Sequence, residues 1–143
     1  RAEAGDDLDA IVAEVERQRE HGRLYATLDT LENLRKGGRI GGAQALLGSM
    51  LSIKPIMTFV DGQVTPLAKV RTRGKSLRWL VDKVAEASVE HVGVVHADAP
   101  DLDDFLEMLR PVVPGEDIIV ATIGPVVGTH SGPGAMAVTF TVA

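Results

Sequence analysis

Two β-rich runs, Ile53 to Val60 and Gln63 to Arg71, are separated only by Asp61-Gly62. That dipeptide is a strong two-residue hairpin signal, because the tight turns that suit twisted strands need positive φ at their centre. These two runs are therefore expected to pair antiparallel. Elsewhere strand-like and helix-like stretches alternate, and that pattern implies crossover connections. A chain with both kinds of connection predicts a mixed sheet. Pro55 and Pro66 interrupt the two runs, so pairing there is expected to be incomplete or at an edge.

The remaining elements follow from hydrophobic period. Asp6 to Gly22 reads as a helix with Leu8, Ile11, Val12 and Val15 at helical spacing, Asp6 or Asp7 as N-cap and Gly22 as the stop. Leu24 to Leu28 is a short strand. Asp29 or Thr30 then caps a short helix through Lys36, ended by Gly37-Gly38. Ala43 to Met50 reads as a short, close-packed helix. Ser76 to Ser88 is helical, with Leu77, Leu80, Val81, Val84 and Ser88 on one face. Val92 to Ala97 is a strand, and Asp101 to Arg110 a helix with Leu102, Phe105, Leu106 and Leu109 on one side. Pro114-Gly115 is a turn, Asp117 to Ile123 a β-branched strand, Gly124 to Gly134 a glycine-rich loop and Ala135 to Val142 the last strand. About six strands and four or five helices predict an α/β, two-layer domain, a mixed sheet with helices packed mainly on one face. No repeat, low-complexity tract or linker divides residues 1–143.

Composition narrows the function classes. At 143 residues the chain is one domain long, and 45% hydrophobic with 24% charged residues is an ordinary globular balance. The net charge of −5 argues against a general nucleic-acid binder. The absence of cysteine excludes disulfides, thiolate metal sites and cysteine nucleophiles. Only five aromatic residues accompany 15 glycines, so the core must be aliphatic and the backbone closely approached. No apolar run reaches the roughly 18 residues of a membrane-spanning helix, and the charged stretch Arg1 to Asp9 does not read as a signal peptide. The chain opens on Arg1 rather than Met, so it is expected to be a piece of a longer protein.

Three segments can carry chemistry. In Gly128-Thr129-His130-Ser131-Gly132-Pro133-Gly134, small and turn-forming residues bring one histidine close to a ligand, or merely shape a tight turn in which His130 packs. Ser131 beside His130 makes a poor nucleophile pair, because adjacent residues rarely face each other and no strand-turn-helix elbow surrounds the serine. In Lys36-Gly37-Gly38-Arg39-Ile40, Arg39 is either a surface cation or a fixed guanidinium for a carboxylate or phosphate. The order of lysine and glycines excludes a P-loop. In Ile53-Lys54-Pro55-Ile56, Lys54 sits among apolar neighbours but can reach water along its stem. Arg71 and Arg73, with Lys69 and Lys75, form a basic patch that is either solvated or a docking or anion contact. His96-Ala97-Asp98 offers two ligands without a third, which reads as a polar strand end rather than a metal site. His21 and His91 read as surface residues.

Taken in order, Lys36 to Ile40, Leu51 to Ile56, Lys69-Val70-Arg71-Thr72, and Gly124-Pro125 with Gly128 to Gly134 resemble the carboxy-terminal domain of the DegV family of bacterial fatty-acid-binding proteins. The resemblance runs from about Tyr25 to Phe140. Gly41 stands where a serine is usual and Ser131 where a threonine is usual. The resemblance implies an EDD-like fold with a six-stranded mixed sheet, lying beside an amino-terminal domain that is absent here and carries Thr and Ser groups for the lipid carboxylate. It implies a bacterial, cytoplasmic carrier without catalytic activity or cofactor, which presents a long-chain fatty acid to a separate fatty acid kinase subunit for acyl-phosphate formation and phospholipid synthesis. The positions matching the head-group region are Arg39 and His130, with Thr129 beside them. Ile40, Leu46, Leu47 and Met50 are the candidate tail contacts, with simple core packing as the competing role for each. Arg71 is the candidate partner or phosphate contact. Two other readings remain: a hydrolase or phosphotransferase using His130 as acid or base, and a docking domain using the Arg71/Arg73 patch.

Overall fold

The computed structural model describes residues 1–49, 53–113, 115 and 117–143. Asp61 and Gly62 take φ of 50° and 73°, and this turn joins β2 (Lys54–Val60) to β3 (Gln63–Val70) antiparallel. Both prolines lie where the ladder is interrupted. Pro66 faces Met57 where the register slips between Ile56 and Met57, on an edge strand. Pro55 lies one residue past Thr27↔Ile56, the end of the pairing between β2 and β1 (Gly22–Thr27). A missing amide donor costs least at such places.

Three further strands complete the sheet: β4 (Val89–His96), β5 (Ile119–Thr122) and β6 (Met136–Val142). The strand order is β3-β2-β1-β6-β4-β5, with only β4 and β5 parallel. The mixed sheet inferred from the connections is thus present, and the last strand in the chain occupies its middle.

Alternation along the strands sends Ile56 and Met57 into different apolar clusters. The larger lies under α3 (Arg73–Ala85) and α4 (Leu102–Leu109), where Leu77, Leu80, Val84, Phe105 and Leu109 meet Ile56, Val92, Val94, Met136 and Val138. Tyr25 extends it, edge-on to Trp79 with ring centroids 5.5 Å apart. The smaller gathers Leu28, Leu31, Leu34, Ala43, Leu46, Met57 and Ala135 from around α2 (Glu32–Lys36) and a 3₁₀ segment (Gly41–Ser49).

Two expectations need revision. Residues read as a helix from Ala43 form the 3₁₀ segment, whose glycines weaken regular helix formation; Met50 and Pro114 lie outside the described residues. The stretch read as a glycine-rich loop contains a seven-residue helix, α5 (Pro125–Ser131). Glycine content obscured it, but Pro125 just inside its start and Gly132 at its stop are helix-boundary signals. The helix α1 (Leu8–His21) forms with Asp7 as its N-cap, yet it buries no residue, and Leu8, Val12 and Val15 are exposed. Arg17 tethers it, donating to Glu14 and to Glu90 on β4.

Ion pairs join the starts of α3 and α4 to the segment after β1. Arg73 donates to both Asp101 carboxylate oxygens at 2.8 and 2.9 Å, and its Nη1 lies 3.6 Å from Asp29 Oδ1. Lys54 Nζ is 3.3 Å from both the Asp29 carbonyl and Oδ1. The Arg73 guanidinium holds the Asp101 carboxyl below its ordinary value. A depressed folded-state value contributes stability above the unfolded carboxyl pKa of about 3.9, and that stability is lost as pH falls through the folded value.

Two outcomes follow for urea unfolding. Asp101→Asn is expected to cost about 1.5–3 kcal/mol at neutral pH, with the gap to the parent closing once pH falls below the depressed Asp101 value. Phe105→Ala is expected to cost about 3–5 kcal/mol, whereas Val126→Ala on the exposed side of α5 changes stability by less than about 0.5 kcal/mol.

Candidate functional site

Arg39 is set by the way α2 ends. The Arg39 amide donates to Leu34 O at 2.8 Å and the Gly38 amide to Arg35 O at 3.1 Å. With Gly38 at φ 66°, this is a Schellman cap, in which glycine supplies the left-handed residue. The chain reverses there and emerges with Arg39 exposed. No ion pair or side-chain hydrogen bond occupies its guanidinium among the described residues.

His130 is set by α5. The Gly132 amide closes that helix on Gly128 O at 2.9 Å, leaving His130 in the last turn. His130 is half-buried, and its Nδ1 is fully covered without a hydrogen-bond partner. The ring lies against Gly37: a Cβ built on that glycine would collide with Nδ1 and Cε1. The structure therefore brings His130 onto the residue two positions before Arg39, although 91 positions separate the two in the chain (130 minus 39).

Thr129 is placed differently from what its position beside the histidine implied. Its hydroxyl donates to Pro125 O at 2.7 Å within α5. The one hydroxyl proton is thus committed, and as placed Thr129 offers a carboxylate no donor. Ser131, set aside as a nucleophile, is buried with its Oγ unpartnered. Two signals were missed at the sequence level: the helical placement of this segment, and the role of Gly37 as the seat of the histidine ring. The short spacing from Pro125 to Gly132 points to the first, while nothing local reveals the second.

The candidate tail contacts separate by burial. Leu46 is 4% exposed and spent in the smaller cluster, whereas Ile40 and Leu47 are half-buried at its margin. Met50 is outside the described residues. Val126 and Val127, four and three residues before His130 on α5, expose apolar side chains, and Ile119 and Val120 do so on β5. The helix that carries His130 thus also presents exposed aliphatic side chains.

The other candidates lie elsewhere. Lys69, Arg71 and Lys75 are exposed, and Arg71 has no ion-pair partner among the described residues. Arg73 differs from them, because Asp101 and Asp29 occupy its guanidinium. His96 ends β4 with a covered, unpartnered Nδ1, and no group of three metal-binding side chains forms among the described residues. An open cleft of about 640 Å³ lies beside Thr72, Lys75, Arg78 and Asp104. A second, of about 480 Å³, lies where β1 and β2 diverge, between Tyr25 and Phe59. Neither reaches His130. No helix among the described residues is long and apolar enough to cross a membrane.

The comparisons with known proteins agree on one family. The DegV family model, described as "Uncharacterised protein, DegV family", matches residues 1–143. A DegV domain-containing protein of Streptomyces coelicolor is 42% identical over 143 residues, covering 96% of this chain and 50% of the relative. The chain thus spans about half the length of the curated relatives it matches. Among solved structures, a fatty-acid-binding DegV family protein from Streptococcus agalactiae superposes with a TM-score of 0.85 at 32% identity, over 99% of this chain and 52% of that one. A DegV family protein from Thermus thermophilus, described for its fatty acid binding, gives 0.86 at 31%, over 99% and 53%. The motif resemblance, the mixed sheet and these matches lead to one conclusion: the chain belongs to the DegV family.

Proposed function

We propose that this chain is the carboxy-terminal domain of a two-domain carrier, and that it helps hold the carboxylate of a long-chain fatty acid through Arg39 and His130. The observation that carries the reading is the His130 ring seated on Gly37, two residues before the exposed Arg39, whose guanidinium has no ion-pair partner among the described residues, with Val126 and Val127 exposed on the same helix as the histidine. The fatty-acid-binding relatives from Streptococcus agalactiae and Thermus thermophilus support the ligand class.

An amphiphile suits this chemistry. Each buried methylene contributes roughly 0.8 kcal/mol, so a long tail supplies most of the affinity with little discrimination between similar tails. The carboxylate opposes burial, because an unpaired ion removed from water costs several kcal/mol. Arg39 offers it planar, charge-assisted donors, and His130 adds a ring donor. Ile40 and Leu47 border the same region and are the tail contacts retained here; Leu46 supports them from the core.

The role is that of a carrier rather than a catalyst. A histidine acting as acid or base needs an orienting group, and no hydrogen bond reaches His130 Nδ1. The resemblance to the family supports reading it as a cytoplasmic carrier with a fatty acid kinase subunit as acceptor of the bound lipid. Arg71, exposed and unpaired, is the proposed contact for that partner.

Full-length protein purified natively, denatured and extracted with organic solvent is expected to release near-stoichiometric fatty acid, identified by mass spectrometry. No lipid on extraction, and none bound when added, would overturn the reading. In the same protein, His130→Ala and Arg39→Ala are each expected to weaken fatty-acid binding by about 10- to 100-fold. Thr129→Val is expected to stay within about threefold, because its hydroxyl proton is already used. Calorimetric titration measures all three, and unchanged affinity for both alanine variants would remove Arg39 and His130 from the site. Arg71→Glu is expected to weaken the kinase complex in a pull-down while leaving bound lipid unchanged.

A further inference from the structure

The end of α5 is set against the α2 segment through a series of close approaches, each made possible by a glycine. A Cβ on Gly134 would collide with the Asp29 carboxylate. A Cβ on Gly132 would lie 3.2 Å from Asn33 Nδ2 and 3.5 Å from Thr30 Cγ2. A Cβ on Gly37 would collide with the His130 ring. The three approaches run in antiparallel order, Asp29 with Gly134, Asn33 with Gly132 and Gly37 with His130. In the first two the glycine belongs to the chain after α5; in the third it belongs to α2.

Gly37 differs from the other two in a useful way. Gly132 and Gly134 have φ of 76° and 78°, so backbone conformation and space both restrict them. Gly37 has φ −82° and ψ 0°, an ordinary right-handed conformation for any residue. The histidine ring is the atom group that a side chain there would collide with; Asn33 O, 3.2 Å from a built Cβ, is tight but does not exclude it. The neighbouring Gly38 shows the opposite pattern: it has φ 66° and nothing within 4 Å of a built Cβ. The adjacent glycines therefore have separate roles. Gly38 turns the chain so that Arg39 emerges, and Gly37 leaves room for the imidazole.

From this we infer that Gly37 is a positioning residue for His130, setting where the ring sits relative to Arg39. A methyl group at position 37 pushes the imidazole off α2 and separates the two head-group donors without replacing either. The inference deepens the fatty-acid reading and rests on it for the affinity consequence; the ring placement stands on geometry alone.

The test uses the full-length protein and linoleic acid as the probe. Histidine ring resonances are recorded by NMR without lipid, with His130 assigned by its loss in His130→Ala. Gly37→Ala is expected to shift the His130 ring signals and leave those of His21 and His91 in place. It is also expected to weaken linoleic acid binding about tenfold, and to weaken it no further when added to His130→Ala. An unmoved His130 signal, or independent and additive losses, would overturn the inference. Should Gly37→Ala alone fail to fold, Gly37→Ala/His130→Ala is expected to fold and melt with His130→Ala, since removing the ring makes the room. A double variant that also fails to fold would overturn it. Should His130→Ala leave affinity unchanged, the head-group reading fails, while the ring shift in Gly37→Ala still decides the role of Gly37.

Discussion

β6 carries the architecture. It lies between β1 and β4, pairs antiparallel with both, and is buried along most of its length. Backbone amides and carbonyls in such a position have to be hydrogen-bonded, since leaving them unpaired costs as much as a lost bond each. The β2–β3 and β1 portion and the β4–β5 portion are therefore joined into one sheet only through residues 136–142. Met136 and Val138 supply the larger apolar cluster, and Ala135, just ahead of the strand, the smaller. α5 and the Gly132-Pro133-Gly134 turn precede it directly, so the placement of His130 follows from where this strand pairs. The Gly134 amide donates to Ala97 O and the Ala97 amide to Ala135 O, which fixes the turn to the end of β4.

Two kinds of polar arrangement meet at this end of the sheet. Asp29, Lys54, Arg73 and Asp101 pair with one another and join β2, α3 and α4 to the segment after β1, although Arg73 Nη1, 3.6 Å from Asp29, makes no hydrogen bond. Partly buried charges persist because their partners offset the loss of water. His130 and Arg39 are the counterpart, with an imidazole nitrogen covered and unpaired and a guanidinium without an ion-pair partner among the described residues. Buried polar groups are normally satisfied, so an exception invites explanation. Here the covered nitrogen packs on Gly37, Val126 and Val127 are exposed on the same helix, and under the proposed reading a ligand carboxylate would meet the Arg39 guanidinium and the rest of the ring.

Much of the fold was legible because its signals are local. Asp61-Gly62 announced the hairpin, and Leu77, Leu80, Val81 and Val84 marked the buried face of α3 before any tertiary information. Gly37-Gly38 read as a helix end, and the Schellman cap is the reason. α5 was hidden because four of the eleven residues from 124 to 134 are glycines, which are poor helix formers. α1 shows the opposite case: its apolar spacing is real, but periodicity reports a face and not what covers it, and Leu8, Val12 and Val15 stay exposed. Leu46 illustrates a third limit, since hydrophobic character alone does not separate a core residue from a ligand contact.

The sequence by itself determined most element types, the mixed sheet and the residue chemistry available at the site, because periodicity, turn residues and caps act within a few positions of one another; the 3₁₀ segment and α5 escaped it. It also carried the motif order that marks the DegV family. Only the tertiary structure decided that β6 closes the middle of the sheet, that Thr129 spends its proton on Pro125, and that His130 rests on Gly37, two residues before Arg39. Those outcomes depend on distant segments reaching one place. Close packing there turns the absence of a single Cβ into the position of a ring, which no local propensity encodes.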